Sequence, residues 1–199
     1  MSTRVWASRP EPPDGHHPAL HLPPRYEVLD LRSGPLTPQG AHSVGRYDEV
    51  RAHVYSAPLF GGERTLHVGV DLGAPAGTPV FAFKEGRVYA QGALPARGDY
   101  GHALITQHEW RGAPLWALYG HLSASSVTRL AVGQEVARGA LLGWLGAEEE
   151  NGGWAPHLHF QLSREPPRGH DMPGAVSPLE REEALWRFPD PRLVLGALY

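Results

Sequence analysis

Residues 157–162, His157-Leu158-His159-Phe160-Gln161-Leu162, read as a short β-strand. Residues two apart on a strand share a face, with Cα atoms roughly 6.5–7 Å apart, so His157 and His159 project together into one groove. Far upstream, His67-Val68-Gly69-Val70-Asp71 offers a second pair, and Tyr119-Gly120-His121-Leu122 places an isolated histidine between the two. His67 and Asp71 also share a strand face, but fully extended their Cα atoms would lie about 13 Å apart. Two such side chains meet on one metal ion only across roughly 11 Å, given metal–ligand distances of about 2 Å. The segment must therefore twist or bend, and Gly69 between two valines is where it can. A helix with ligands at i and i+4 is disfavoured by the Val-Gly-Val filling and by Pro75.

Outward from these motifs, short strands alternate with glycine turns. Leu66 to Leu72 is apolar and β-branched, and Gly73 to Pro79 follows as a turn that no helix could contain. Val80 to Phe83 and Gly86 to Gln91 suggest a hairpin around Lys84-Glu85-Gly86. Ala103 to His108 and Leu115 to Tyr119 suggest a second, turned at Arg111 to Pro114, and Val136 with Leu141 to Leu145 a third around Arg138-Gly139. Glu180 to Phe188 is the best helix, with Ser177-Pro178 as its start, and Asp48 to Val54 is a shorter candidate. The expected fold class is mostly β, an antiparallel β sandwich with short peripheral helices.

Composition narrows the function classes. The 199 residues are 41% hydrophobic, enough for one sizeable core, and 24 Gly with 20 Pro favour short strands and tight turns. A net charge of -3 without a long basic run gives nucleic-acid or anionic-membrane binding no electrostatic basis, and no stretch approaches a membrane span of roughly 18 apolar residues. Cysteine is absent, so any metal must be held by histidines and carboxylates. The N-terminal stretch has no apolar signal region and reads as a Pro- and His-containing mobile arm over residues 1–25, with His16, His17 and His21 exposed. The expected localisation is cytoplasmic, with the cell envelope as the alternative. His102 and His108 alternate on a strand as a surface pair, and His42, His53 and His170 read as loop residues, so none joins the metal set. Tyr100 and Tyr119 are expected to pack, with lining the groove as the rival reading. Asn151-Gly152-Gly153-Trp154 is a turn that can shape a cleft.

Two imidazoles and one carboxylate on a zinc ion leave a fourth position open, the pattern of a catalytic site, where a water's pKa falls toward roughly 7. Amide hydrolysis also needs a proton acceptor and a donor to the tetrahedral oxygen. With no glutamate beside a ligand, spare histidines are the candidates, and His121 and His157 fit. Two other classes compete: a catalytically silent binding or regulatory module on the same fold, and phosphoryl transfer through a histidine. The latter calls for paired histidines without a metal carboxylate, and Asp71 argues against it.

HVGVD (67–71), DYGHALITQHE (99–109), LYGHLS (118–123), VGQEVARGALLGWLG (132–146) and GGWAPHLHFQL (152–162) occur in the order seen in the lysostaphin-like zinc endopeptidases, and residues 60–165 resemble that family. The resemblance implies a duplicated hybrid motif and one Zn2+ per chain held by His67, Asp71 and His159, with His121 and His157 as the catalytic histidines. It implies cleavage of a peptide or peptidoglycan-like substrate. The domain reading is a zinc peptidase core at 60–165, an N-terminal extension at 26–59 packing on it, and a C-terminal extension at 166–199 with a short helix. An arm side chain filling the open zinc position is conceivable, although no residue stands out for it. The whole chain also looks like the peptidase-like segment between kinase-like and aminotransferase domains of some large fusion proteins, which would bring neighbouring domains and a cytosolic peptide or conjugate.

Overall fold

Strand β13 (His157–Ser163) divides its side chains between two environments. Leu158, Phe160 and Leu162 are fully buried in the main apolar core, while His157, His159 and Gln161 point to the opposite face. Burying each large apolar side chain is worth roughly 1.5–3 kcal/mol, and a one-residue slip would exchange the two sets, so the register is strongly held. The same alternation governs β6 (Val70–Gly73), where Val70 and Leu72 enter the core and Asp71 faces away. In β10 (Ala113–Gly120), Leu115, Ala117 and Tyr119 enter that core, while Trp116 and Leu118 join a second apolar cluster with Tyr100, Ile105 and Met172.

The structure is a computed structural model that describes residues 5–13, 15–34, 38 and 40–199. Nine strands form the largest sheet, in the order β1 (Val5–Ser8), β2 (Arg25–Val28), β3 (Ser43–Gly45), β6, β13, β10, β9 (Gly101–Trp110), β8 (Gly86–Leu94) and β11 (Glu135–Val136). Every pairing in it is antiparallel except that of β2 with β3. A small sheet pairs β7 (Pro79–Phe81) with β12 (Leu141–Trp144), and the core lies between it and the large sheet. A three-stranded sheet joins β4 (Glu49–Val50), β5 (Leu66–His67) and β14 (Ala175–Val176). Two short helices follow, α1 (Arg181–Arg187) and α2 (Arg192–Leu195). The mostly-β expectation holds, as does the helix after Ser177, whose hydroxyl accepts from the Leu179 amide.

Several local expectations are corrected. The two proposed hairpins at 80–91 and 136–145 do not form: their strands exchange partners, β7 pairing with β12 and β8 with β9 and β11. The 103–119 hairpin is present as β9 and β10. Asp48 to Val54 is strand β4 followed by a turn instead of a helix. The arm is also not free where it is described: Val5–Ser8 pairs with β2, Ala19, Leu20 and Leu22 are buried in the core, and His16 and His17 pack edge-on against Phe83 and Phe81. Residues 1–4 and 14 of that arm lie outside the described residues.

Candidate active site

The required bend falls at Val68-Gly69. His67 ends β5 in one sheet, and Asp71 lies in β6 of another, paired directly opposite His159 of β13. Glycine is needed at 69, because a Cβ there would come within 2.6 Å of the His159 ring and 2.9 Å of the Phe160 carbonyl. The turn thus brings His67 Nε2 and His159 Nδ1 to 3.1 Å, each 3.2 Å from Asp71 Oδ1.

The ring protons decide what this triangle can hold. His67 Nδ1 donates to the Arg46 carbonyl at 2.7 Å, so its Nε2 carries a lone pair. The Gln161 amide nitrogen donates to the Pro173 carbonyl, which leaves its Oε1 to accept from His159 Nε2 at 2.9 Å. His159 Nδ1 is then also a lone pair. Two lone pairs and a carboxylate oxygen face one another without a proton between them, a donor set suited to a cation. Donors about 2.0–2.1 Å from a tetrahedral zinc stand about 3.3 Å apart, close to the separations here. His67, Asp71 and His159 form the one histidine–carboxylate group of this kind among the described residues.

Electrostatics keep His67 and Asp71 deprotonated. Burial holds His67 down at about 4, helped by the Arg51 charge and opposed by Asp71. Burial alone would raise Asp71, but the neighbouring His67 and the Arg51 guanidinium hold it well below the usual carboxylate range.

His121 and His157 stand beside this group with ring centroids 4.3 Å apart. His121 follows Gly120 at the end of β10 with φ of 63°, a left-handed conformation that costs of order 1–3 kcal/mol for a non-glycine residue. That turn lets Nδ1 donate to the Asn151 carbonyl at 2.8 Å, and Asn151 is itself fixed by its side chain on the Gly153 and Trp154 amides. His157 Nδ1 donates to the Ala155 carbonyl at 2.7 Å, and its Nε2 lies 3.7 Å from Asp71 Oδ1. Both rings therefore keep Nε2 unprotonated. Burial lowers both, His121 well below its ordinary value with His157 and His159 adding to the effect, and His157 against the opposing pull of Asp71.

All five residues named from the sequence converge, and all but His67 line a groove of about 400 Å³. Tyr55, Phe60, Tyr100, Trp154 and Met172 line it, with Trp154 packed against the Tyr55–Phe60 cluster. Tyr100 packs against the His121 and His159 rings and donates its hydroxyl to the Met172 carbonyl, while Tyr119 is a core residue. His108, expected at the surface, is 3% exposed and lies against Phe83. The Asn151 to Trp154 turn, read from the sequence as able to shape a cleft, does so: Gly153 and Trp154 line the groove, and the Asn151 carbonyl holds His121. Sequence reasoning passed over Gln161, which shares the site face of β13 by its spacing. It also passed over Arg51, a buried arginine with no local signature.

The sequence profile of Peptidase family M23 matches residues 65–171. Among similar proteins, the DD-carboxypeptidase/endopeptidase Mpg of Neisseria meningitidis is 35% identical over 48% of this chain and 20% of its own length. The peptidoglycan DD-endopeptidase ShyA of Vibrio cholerae is 35% identical over the same shares. The chain thus spans about a fifth of these relatives. The solved catalytic domain of the antimicrobial peptidase lysostaphin from Staphylococcus simulans is 27% identical, covering 58% of this chain and 77% of that one with a TM-score of 0.42. The profile takes in His67, Asp71, His121, His157 and His159 and runs over more than half of the 199 residues. On that match, the chain belongs to Peptidase family M23.

Proposed function

We propose that this chain is a zinc metallopeptidase that hydrolyses an amide bond of a peptidoglycan-type peptide. The observation that carries the reading is the convergence of two imidazole lone pairs and Asp71 Oδ1 at 3.1–3.2 Å, with two further neutral imidazoles alongside. His67, Asp71 and His159 would hold the ion. Zinc supplies Lewis-acid chemistry there, polarising the scissile carbonyl and acidifying the attacking water.

The proton work falls to the two remaining histidines. His157 Nε2 takes the water's proton, because the adjacent Asp71 carboxylate favours the imidazolium that forms. A ring whose proton affinity is lowered by burial gives that proton up readily to the leaving amine. His121 has no carboxylate at hydrogen-bond distance among the described residues and stays neutral, so its Nε2 orients the water or the leaving N–H by accepting a hydrogen bond. The apolar lining of Tyr55, Phe60, Tyr100 and Trp154 excludes water and holds the peptide.

The names of the two relatives, a DD-carboxypeptidase/endopeptidase and a peptidoglycan DD-endopeptidase, support D-alanyl cross-link peptides as substrate and the cell envelope as site of action over the cytoplasm. No helix among the described residues is long and apolar enough to cross a membrane. The test is to incubate zinc-loaded protein with purified peptidoglycan and with D-alanyl and glycyl peptides, with and without chelator. Chelator-sensitive release of new amino termini is expected. No cleavage of any of these by protein shown to carry zinc would overturn the reading.

A further inference from the structure

Arg51 is 2% exposed, a burial rare for arginine, and it points at Asp71. Its Nη1 donates to Asp71 Oδ2 at 2.6 Å, its Nε to Glu49 Oε2 at 2.8 Å, and its Nη2 to the Arg46 carbonyl at 2.8 Å. That same carbonyl accepts from His67 Nδ1. Asp71 therefore divides its oxygens: Oδ2 is committed to the guanidinium, and Oδ1 alone faces His67 and His159. Gly45, paired opposite Asp71, makes room for the contact, since a Cβ there would lie 2.7 Å from Asp71 Oδ2 and 3.0 Å from Arg51 Nη2. Glu49, 4% exposed, balances the arginine's charge, so the fork positions Asp71 without adding net positive charge beside a cation.

We infer that Arg51 is a positioning residue for the metal centre, fixing Asp71 as a one-oxygen ligand, and that the segment 45–51 supplies the outer support of two of the three ligands. This inference rests on the metal reading above. It places a working part of the site in the N-terminal extension, outside the 65–171 span that the family profile matches. A positively charged, planar fork suits the task, because a lysine ammonium can reach Asp71 or Glu49 but cannot hold both in plane.

The experiment compares the zinc affinity of wild type, Arg51→Lys and Arg51→Gln in the full chain by competition with a chromogenic chelator, beside thermal unfolding of each metal-free protein. Supporting partners of metal ligands are worth 10–100-fold in affinity, so Arg51→Gln should weaken zinc by about that range, with Arg51→Lys between it and wild type. Unchanged affinity with only a lowered melting temperature would overturn the inference, making Arg51 a structural ion pair while the metal reading stands. No zinc on wild type would remove both. Should Arg51→Gln not fold, Gly45→Ala decides: it keeps the arginine but crowds Asp71 Oδ2, and it should bind zinc at least tenfold more weakly. Wild-type affinity in that variant would overturn the inference.

Discussion

His67 Nε2 and His159 Nδ1 stand 3.1 Å apart as two lone pairs, because each ring spends its proton elsewhere, on the Arg46 carbonyl and on Gln161 Oε1. Like poles do not attract. The arrangement is held by β-pairing and by outer hydrogen bonds, and a cation at the point where the two meet Asp71 Oδ1 would relieve it.

Gln161 fixes which nitrogen of His159 faces that point. Gln161→Leu removes the acceptor at Nε2 and frees the ring to carry its proton on Nδ1. Zinc affinity should fall by about 10–100-fold while the chain stays folded, measured by chelator competition and circular dichroism. Unchanged affinity would mean that strand pairing alone sets the tautomer.

On the proposed mechanism, His121 and His157 serve turnover and not metal retention. His121→Ala and His157→Ala should each keep zinc near the wild-type content and lower turnover by about 10²-fold or more. Zinc content and peptide hydrolysis, read on the same preparations, check this. Full activity in His157→Ala would contradict its assignment as the proton acceptor.

Gly69 leaves no space for a side chain beneath the His159 ring. Gly69→Ala should cost about 1–3 kcal/mol of stability by overpacking, and the displaced imidazole should lose zinc with it. Thermal unfolding and elemental analysis read the two effects together; a variant with wild-type metal content and melting would show that the β5–β6 bend is looser than the contacts indicate.

His108 sets a pH dependence unconnected with catalysis. Burial holds it down at about 4, against 6.5 for a free histidine. The unfolded chain therefore takes up a proton first as pH falls, so the folded state loses stability from about pH 6.5 down to about pH 4 and no further below. The full loss is about 3 kcal/mol. Denaturant titrations of metal-free protein at pH 7 and pH 4 should show a drop smaller by about that amount in His108→Gln. Equal drops in the two proteins would contradict this account.

Much of this could be read from the chain because β-structure writes its faces at a period of two. His157, His159 and the bend demanded between His67 and Asp71 follow from spacing and reach, and the structure puts that bend at Val68-Gly69. Strand partners do not follow from spacing. Lys84-Glu85-Gly86 looks like a hairpin turn, yet β7 leaves it to pair with β12 some sixty residues away, a choice made by the shared core of Val80, Phe83, Leu142 and Leu145. Arg51 was unreadable for a related reason. Arginine in a Tyr-Asp-Glu-Val-Arg run is ordinarily solvated, and only the three-dimensional meeting with Asp71 and Glu49 pays its desolvation.

The most direct measurement is the zinc content of the purified full chain, prepared without chelator, beside Asp71→Ala. The account predicts about one zinc per chain in the wild type and loss of most of it in the variant. No zinc in the wild type even after reconstitution, or an undiminished content in Asp71→Ala, would contradict it.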